Sequence, residues 1–422
     1  MLQRFYRKGR ATLARLFPFT LARQFYSARA QASAPGHRIL RPALQPLDHL
    51  LSCYPAMTPY DNPNLTLISS EVAPGALRWR SPSNIALVKY WGKHGVQLPR
   101  NPSVSFTLEG AATDTTLSYR SRAESGPGVD VKLLLDGSYS ESFTTRTRSF
   151  LEQLLPVYPF LKQLSLEIKT SNSFPHSAGI ASSASGMSAL ALCLVSLEEV
   201  LFTPLKDRAA FFTKASYLAR LGSGSACRSV YGGAAVWGET STLAGSSDEY
   251  AVPMTDSLHP VFRDFHDDIL LISRSEKSVS SRAGHGLMEN NPYAPARYAQ
   301  ATRRTEEMLD VLQRGDLERF GEILESEALT LHALMMSSHP PYLLIRPNTL
   351  QCIERIQAWR ATTGHPLYFT LDAGPNLHLL YPHSVAEPVK AFIREQLLFF
   401  CEDQLYLADR VGKGPERLEV SE

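Results

Sequence analysis

The stretch FPHSAGIASSASG, Phe174–Gly186, carries the clearest chemical signal in the chain. Nine of its thirteen residues are Gly, Ala or Ser, and a strongly apolar run follows directly. Small residues let backbone N–H groups approach a ligand closely, and a helix that begins after them offers unpaired N–H groups and the positive end of its dipole. The stretch therefore predicts a phosphate site. The alternative is an ordinary strand-to-helix turn with a serine cap.

Three hydroxyls in this stretch, those of Ser182, Ser183 and Ser185, could bind phosphate oxygens or Mg²⁺. The pattern P-x3-G-x2-S-S-A, which runs from Pro175 to Ala184, resembles the phosphate loop of the GHMP kinase superfamily. It differs from a Walker loop because no GK[ST] follows, so no P-loop lysine is available.

A second loop of small residues, GSGSACRS, spans Gly222–Ser229. It brings the hydroxyls of Ser223 and Ser225 close to the guanidinium of Arg228. A planar guanidinium can pair both oxygens of a carboxylate or phosphate at once. The alternative is a capped turn with a surface arginine. One anion-binding loop indicates a nucleotide, and two indicate a nucleotide together with an anionic substrate.

Two further clusters contain charged residues at the ends of strands. In SPSNIALVKYWGKHG, Ser81–Gly95, Lys89 ends an apolar strand. It either faces solvent or lies near an anion, because burying an unpaired ammonium is costly. In TLDAGPN, Thr370–Asn376, Asp372 follows a strand. Aspartate at such a position is either an ordinary turn residue or a candidate base.

Together the four clusters resemble the mevalonate diphosphate decarboxylase family. KYWGK, FPHSAGIASSASG, SGSACRS and DAGPN match its motifs in order and spacing, and the resemblance spans roughly Ser81 to Asp409. It implies that the 3-hydroxyl of mevalonate 5-diphosphate is phosphorylated by ATP, after which phosphate and carbon dioxide leave. The products would be isopentenyl diphosphate, ADP, phosphate and CO₂, in the mevalonate pathway of isoprenoid biosynthesis.

The resemblance also assigns roles to residues. Asp372 would deprotonate the 3-hydroxyl and Arg228 would hold the substrate carboxylate, while Asn84 and Lys89 would order the reacting end. The residues implied for ATP and phosphate binding are Gly179, Ser182, Ser183, Ala184, Ser185, Gly186 and Lys277. Those implied for substrate binding are Tyr90, Lys93, Ser223, Gly224, Ser225, Ser281 and Arg282. ATP is the implied co-substrate, and Mg²⁺ would reach Ser183 through the phosphates.

Two departures from the family pattern leave alternatives open. The chain has KHG where most members have an acidic residue after KYWGKR, and His176 lies beside the phosphate loop as a surface residue or a phosphate ligand. A phosphomevalonate decarboxylase, which acts on the 5-monophosphate, is therefore the close alternative. A GHMP-type small-molecule kinase without decarboxylation and a non-catalytic sensor are two others. Lys89, Arg228 and Asp372 argue against both of these.

The elements between the clusters predict a mixed α/β chain. The predicted strands are Leu65–Ser69, Ala76–Trp79, Ile85–Tyr90, Thr115–Ser118, Val129–Leu135, Leu164–Thr170, Val230–Glu239, Asp268–Ser273, Leu367–Leu371, Leu377–Tyr381 and Gln404–Leu407. The predicted helices are Thr147–Leu155, Met187–Phe202, Lys206–Leu221, Tyr293–Gln313, Leu317–Ser337, Asn348–Thr362 and Ala386–Phe399.

The resemblance implies the GHMP-kinase fold, an α/β (α+β) fold with left-handed βαβ features near the phosphate loop. Residues 57–255 would form an ATP-binding part like domain 2 of ribosomal protein S5, and residues 256–422 a ferredoxin-like part. The substrate would lie in the cleft between them. The family also implies a homodimer.

Composition excludes several classes. The chain has 422 residues, of which 44% are hydrophobic, and a net charge of only +2, so a nucleic-acid partner is not expected. No uninterrupted apolar run approaches the length of a membrane helix. The five cysteines include no CxxC pair, which indicates a reducing compartment, and we expect a cytoplasmic protein.

The N-terminal segment, residues 1–56, differs from the rest. Met1–Leu47 contains nine Arg or Lys and no Asp or Glu. This composition is typical of an organellar transit peptide, which would imply import. The alternatives are a start assigned too far upstream, with Met57 the true start, and a basic surface helix. In each case the segment lies outside the predicted site.

Overall fold

Strands and helices are interspersed along the chain, as the hydrophobic pattern predicts. The structure is a computed structural model that describes residues 58–68, 72–123, 126–174, 180–275 and 279–420, all within one compact unit, Met57–Glu422. The strands are β1 Gly75–Val88, β2 Lys93–His94, β3 Leu98–Pro99, β4 Ser103–Ser121, β5 Asp130–Leu135, β6 Ser138–Tyr139, β7 Leu164–Asn172, β8 Ala234–Trp237, β9 Ala251–Pro253, β10 Phe265–Leu270, β11 Tyr368–Thr370, β12 Leu377–Pro382, β13 Tyr406–Leu407 and β14 Glu416–Leu418. The helices are α1 Glu141–Gln153, α2 Ser182–Leu201, α3 Arg208–Gly222, α4 Pro260–Arg263, α5 Ser281–Gly286, α6 Ala294–Arg314, α7 Leu317–Met336, α8 Pro347–Thr363 and α9 Ala386–Phe392.

The larger sheet has the strand order β14-β1-β4-β7-β5-β6, and β8 and β9 join it through β4. Most pairs are antiparallel, but β5 and β7 run parallel and are connected by a crossover that contains α1. A smaller antiparallel sheet has the order β11-β12-β10-β13. The predicted mixed α/β class is confirmed.

Helix α2 is the central helix on the larger sheet. Leu190 and Leu194 of this helix pack with Leu218 of α3 and with Trp79 and Leu117 of the sheet, and all five are buried. By length and composition α2 could cross a membrane, but 72% of its most apolar window is buried inside the protein. Because a buried helix must be apolar on all sides, we interpret α2 as a core helix. This core fixes the start of α2 against β4.

The ends of β1 and β4 pack against the C-terminal helices. Ile85 and Phe106 of these strands share a core with Met308 of α6 and Phe320 of α7. Burying a large apolar side chain contributes about 1.5–3 kcal/mol. This shared core therefore holds the end of β1 firmly against α6 and α7.

The irregular register of β1 explains why it was predicted as two strands. Its pairing with β4 shifts between Pro82 and Asn84 and again between Ala86 and Val88. Bulges re-aim the side chains beside them and are frequent next to active sites. Here they lie on either side of Asn84 and just before Lys89.

The predicted strand over Leu65–Ser69 is wrong for its described residues. The Leu65 N–H donates to the Asn62 carbonyl within a turn. Farther on, Leu67 exchanges both of its backbone hydrogen bonds with the side chain of Gln163, at 2.8 and 3.0 Å. Side-chain and turn partners therefore satisfy a backbone that would otherwise need a neighbouring strand.

Candidate active site

A partly buried ion pair joins two of the predicted clusters. Lys89 lies one residue past the end of β1, and Asp372 lies in the turn between β11 and β12. The Lys89 Nζ lies 3.0 Å from Asp372 Oδ1, with 2% of the lysine side chain and 29% of the aspartate side chain exposed. Nζ also donates to the Ala86 carbonyl at 2.7 Å. Burial lowers the pKa of Lys89, and the Asp372 carboxylate opposes this shift.

The turn that contains Asp372 is fixed by its own hydrogen bonds. The Asp372 carbonyl accepts from His332 Nε2 at 3.1 Å and from the Gly374 N–H at 2.7 Å. Asn376 exchanges two hydrogen bonds with the main chain of Ser273, at 2.9 and 3.0 Å. Because these contacts hold the turn at both ends, the Asp372 carboxylate is directed toward Lys89.

Arg228 is a buried cation held by neutral groups. It lies in a short 3-10 helix, Gly224–Val230, and is 2% exposed. Its guanidinium donates to Ser105 Oγ at 3.0 Å, to Ser103 Oγ at 2.6 Å and to Asn84 Oδ1 at 3.3 Å. Burial lowers its pKa, and the nearby Asp372 carboxylate raises it in part. A guanidinium has five N–H donors, so this arrangement can still pair with an anionic ligand.

Asn84 links Arg228 to the second loop. Its amide oxygen accepts from Arg228, while Nδ2 donates to Ser229 Oγ at 2.7 Å and to the Ser225 carbonyl at 3.1 Å. Asn84 is 4% exposed. One amide therefore orders both the guanidinium and the loop.

The two loops of small residues meet at their serines. Ser182 begins α2, and the exposed Ser183 has its Oγ 3.4 Å from Ser223 Oγ. Ala181, just before the helix, adopts the left-handed region with φ 45° and ψ 41°, which costs a residue with a Cβ about 1–3 kcal/mol. The first N–H groups of α2 lack acceptors within the helix, as at any helix N-terminus.

Ser185 lies on the opposite side of the same turn. It is 0% exposed, and its Oγ is 2.6 Å from Thr113 Oγ1 of β4. Ala184 beside it is also buried. In this arrangement Ser185 ties α2 to the sheet, whereas Ser182 and Ser183 face the cleft.

A cleft of about 850 Å³ opens in front of the α2 N-terminus. Its polar lining includes Ser182, Ser183, Gly186, Lys93 and Arg282. Its apolar lining includes Leu133, Leu135, Phe143, Phe150, Met187 and Leu190. The volume falls in the usual range for small-molecule sites, and an apolar wall beside a helix N-terminus suits a nucleotide base and its phosphates.

Two cations, Lys93 and Arg282, line this cleft. Burial lowers the pKa of Lys93, and the charge of Arg282 lowers it further. Tyr90 packs between Trp237 and His285, with ring centroids 4.6 and 4.4 Å away, and burial raises its pKa. Two neighbouring cations, Lys93 and Arg282, can bind an anion of more than one charge.

The remaining predicted residues fall into two groups. Ser281 begins α5 and is exposed, Ser225 is half-buried, and Gly224 is buried against Trp237 and Tyr90. Gly179, Lys277 and His176 lie outside the described residues. The structure thus brings together the predicted residues Lys89, Arg228, Asp372 and Asn84 and, next to them, the serines of both loops. Their roles stay predictions.

Sequence reasoning missed the residues that hold Arg228. Ser103 and Ser105 alternate on β4, and both are 0% exposed. Two serines at period two in a buried strand place both hydroxyls on one face, and that pattern could have revealed a polar site. Thr113 and Thr115 of β4, which line the cleft, follow the same alternation.

No protein-only metal cage is present among the described residues, which contain no group of three His, Cys, Asp or Glu side chains suited to a metal. Mg²⁺ usually keeps several waters and is held mainly by substrate phosphates with one or two protein ligands. The Ser183 hydroxyl at the mouth of the α2 N-terminus suits that mode.

Solved structures share this fold. A structure of mevalonate diphosphate decarboxylase from Enterococcus faecalis is 28% identical, covers 82% of this chain and 100% of that chain, and has a TM-score of 0.69. A complex of MDDEF with MVAPP, AMPPCP and magnesium is 29% identical with the same coverage and a TM-score of 0.69. The fold and the site define a member of the GHMP kinase fold class.

Family models and a curated relative refine this assignment. Residues 81–251 match a diphosphomevalonate decarboxylase-like N-terminal domain, and residues 269–415 match the mevalonate 5-diphosphate decarboxylase C-terminal domain. The diphosphomevalonate decarboxylase of Schizosaccharomyces pombe is 31% identical over 329 residues, which are 73% of this chain and 79% of that protein. The chain belongs to the diphosphomevalonate decarboxylase family.

Proposed function

We propose that this protein catalyses the ATP-dependent decarboxylation of mevalonate 5-diphosphate to isopentenyl diphosphate, with ADP, phosphate and CO₂ as the other products. The observation that carries the proposal is the buried Arg228 guanidinium, which is held by neutral groups beside the Lys89–Asp372 pair. A kinase that only phosphorylates an alcohol needs a base and a phosphate site. Arg228 adds a group that fits a substrate carboxylate.

Phosphorylation of the 3-hydroxyl is the first step. A tertiary alcohol is a poor nucleophile, and Asp372 accepts its proton as the oxygen attacks the γ-phosphorus of ATP. The Lys89 ammonium, 3.0 Å from Asp372, favours the ionised carboxylate and orients it. ADP leaves with the β–γ bridging oxygen.

Decarboxylation is the second step. The C3–O bond breaks, phosphate leaves with the electron pair, and positive charge develops at C3. The C1–C2 bond then supplies its electron pair to form the C2–C3 double bond, and CO₂ is released. Arg228 fixes the carboxylate in the plane that this elimination requires. Asn84 keeps the guanidinium in place through the 3.3 Å contact.

The cleft at the α2 N-terminus binds the nucleotide. Backbone N–H groups of α2 and the Ser182 and Ser183 hydroxyls contact its phosphates. Ser183 would contact a Mg²⁺ ion held mainly by those phosphates, and the ion would supply charge neutralisation there. The solved complex of MDDEF with MVAPP, AMPPCP and magnesium supports the use of ATP and Mg²⁺.

The 5-position distinguishes the main proposal from its alternative. The charge of Arg282 contributes to the lowered pKa of Lys93, so the two cations lie near each other, and both line the cleft. Two cations favour a diphosphate, which has one more charge than a monophosphate. A phosphomevalonate decarboxylase would need fewer cations at this end.

One assay tests the function. The purified protein is incubated with ATP and Mg²⁺ and either mevalonate 5-phosphate or mevalonate 5-diphosphate, and ADP and CO₂ are measured separately. Equal amounts of both products from the diphosphate alone support the proposal. Product from the monophosphate alone identifies the alternative enzyme, and ADP without CO₂ identifies a kinase.

A further inference from the structure

The main chain of Lys89 is held by side chains from the C-terminal helices. Lys89 lies just beyond β1, where the ladder with β4 ends at the Val88–Val104 pair. Its N–H donates to Glu327 Oε2 at 2.9 Å, and its carbonyl accepts from Arg297 Nη2 at 3.2 Å. Asn101 Nδ2 also donates to that carbonyl, at 3.1 Å. Both backbone groups of one residue are thus fixed from α6 and α7.

Glu327 and Arg297 form a closely packed pair around this point. Arg297 donates to both Glu327 oxygens, at 2.6 and 2.5 Å, and the two side chains are 1% and 0% exposed. Burial favours the neutral acid, but hydrogen bonds and charge from Arg297 and Arg304 hold the pKa of Glu327 below its usual value. Glu327 therefore remains a carboxylate, and its geometry is bidentate and rigid.

Arg304 touches the same carboxylate on its other side. It donates to Glu327 Oε1 at 2.8 Å and to Ser326 Oγ at 2.5 Å. The Lys89 N–H donates to the other carboxylate oxygen, Oε2. Neither of the two Arg304 hydrogen bonds just described involves Oε2. Arg297 and Arg304 thus share Glu327 as a partner, but only Arg297 also holds Lys89.

We propose that Glu327 and Arg297 are positioning residues that set the main chain of Lys89, so that its ammonium reaches Asp372 in the geometry needed for phosphoryl transfer. The inference rests on the proposed function, which gives Lys89 and Asp372 their role. Replacing a buried ion pair by apolar residues is often neutral for stability, so stability alone does not account for the contacts to Lys89. A rigid second layer of this kind is how a reacting group is held within a fraction of an ångström.

The test compares two matched substitutions, Arg297→Lys and Arg304→Lys. Each keeps a positive charge beside Glu327, but only Arg297→Lys removes the planar fork that contacts both Glu327 and the Lys89 carbonyl. We expect Arg297→Lys to lower kcat by about ten- to a hundredfold while the KM values for both substrates stay close to those of the parent, because a small misplacement of a reacting group has effects of this size. Arg304→Lys should remain close to the parent in both constants.

A double-mutant comparison shows whether the effect passes through the lysine. Arg297→Lys is combined with Lys89→Met, which removes the ammonium. If Arg297 acts by placing Lys89, the second change should not lower kcat further, because residues that act as one unit are not additive. Additive losses would overturn the proposal.

Crystal structures of the two arginine variants give a readout that does not depend on activity. The Lys89 Nζ–Asp372 Oδ1 distance, 3.0 Å in the parent, should exceed hydrogen-bond length in Arg297→Lys and stay unchanged in Arg304→Lys. An unchanged distance in both overturns the positioning role. So does loss of folding in Arg297→Lys alone, since the pair would then serve the fold. If the parent protein has no decarboxylase activity, the proposed function is wrong. The Lys89 Nζ–Asp372 Oδ1 distances in the variants then still test whether Arg297 positions Lys89.

Discussion

Arg228, Lys89 and Asp372 are all charged, but the protein holds each of them differently. Lys89 and Asp372 face each other at 3.0 Å, and the lysine main chain is fixed from the other side by Glu327. Arg228 is surrounded by two serines and one asparagine. A buried charge keeps its capacity to bind an anion when, as in the described part of the chain, its hydrogen bonds go to neutral groups. In the proposed reaction, this difference distinguishes Asp372, which would take the proton, from Arg228, which would bind the carboxylate.

Asp372→Asn should remove the base without removing the turn. The change keeps the size of the side chain and most hydrogen bonding, so turnover should fall by about two to four powers of ten while substrate and ATP affinities stay within about tenfold. ADP and CO₂ release should decrease together, because both follow the same phosphorylation. Steady-state assays of the two products and a thermal melt check this. A normal rate of ADP formation without CO₂ would instead place Asp372 after phosphoryl transfer.

Sequence patterns revealed the proposed reacting residues better than the residues that hold them. Lys89, Arg228 and Asp372 lie in short motifs with unusual composition, so they could be predicted. Glu327 and Arg297 lie in ordinary amphipathic helices, 238 and 208 residues away from Lys89. Nothing local distinguishes a glutamate that will be buried from one on a solvated helix face. Only tertiary packing determines which glutamate becomes buried and which stays on a solvated face.

At the scale of elements, two serines near the N-terminus of α2 lie in different surroundings. Ser183 faces the cleft and is exposed, while Ser185 faces β4 and is buried against Thr113. Ser183→Ala should lower turnover by about one to three powers of ten, because its hydroxyl would no longer meet the transferring phosphate or Mg²⁺. Its effect on substrate affinity should be smaller. Enzyme kinetics with varied ATP and Mg²⁺ measure this.

Ser185→Ala is the matched control for that change. Loss of its buried hydrogen bond should cost about 1 kcal/mol of the free energy of unfolding and should leave turnover near the parent value. Urea unfolding at neutral pH measures the change in the free energy of unfolding. Equal loss of turnover in both variants would mean that the turn as a whole, rather than one hydroxyl, supports catalysis.

A hydrogen bond to His285 links helix α5 to the KYWGK segment, and the accepting ring nitrogen must be unprotonated. The Gly92 N–H donates to His285 Nδ1 at 3.0 Å, and the imidazole ring lies 4.5 Å from the ring of Trp91. Burial, with a smaller effect of Lys93, lowers the pKa of His285 to about 3. Because the unfolded chain binds this proton near pH 6.5 and the folded chain does not, the stabilisation is present above that pH. It is lost as the pH falls toward 3.

His285→Gln should therefore make the stability of the folded protein less sensitive to acid. A glutamine oxygen can still accept from Gly92 but does not titrate in this range. As the pH falls from 6 to 4, the free energy of unfolding of this variant should decrease less steeply than that of the parent. The two slopes should differ by about 1 kcal/mol per pH unit. Urea titrations across this range measure the slope, and the exposed His339 supplies a control substitution, His339→Gln. If His285→Gln and the parent have the same slope, another group controls acid unfolding.

Across the whole molecule, the hydrophobic periodicity of the sequence predicted the long helices well and the strand β4 poorly. Long helices such as α6 and α7 were predicted to within one residue at each end, because their amphipathic pattern is clear and Gly315, with φ 78°, separates them. The 19-residue strand β4 was recognised over only four residues. It is buried along much of its length and contains serines and threonines that bind other side chains, so the alternation of apolar and polar residues is weak. Long-range pairing, which no local pattern encodes, determines such a strand.

The last prediction concerns the boundary of the folded unit. A protein that begins at Met57 should fold and keep full activity, because the described contacts of the site join residues between Ser81 and Asn376. A protein that begins at Val72 should be less stable. It would lack Tyr60, whose ring lies 4.7 Å from that of Tyr217, and Leu65, whose carbonyl accepts from the Phe160 N–H at 3.1 Å.

Loss of the half-buried Tyr60 ring alone should cost about 1–2 kcal/mol, so the second protein should melt a few degrees lower while its substrate affinity is retained. Thermal melts and the CO₂ assay on both proteins, beside the full chain, check these expectations. Reduced activity or soluble yield in the protein that begins at Met57 would contradict the first of them and would place the basic segment within the functional fold. Equal melting temperatures for the two shortened proteins would contradict the second, because residues 58–68 would then add nothing to the core against which they pack.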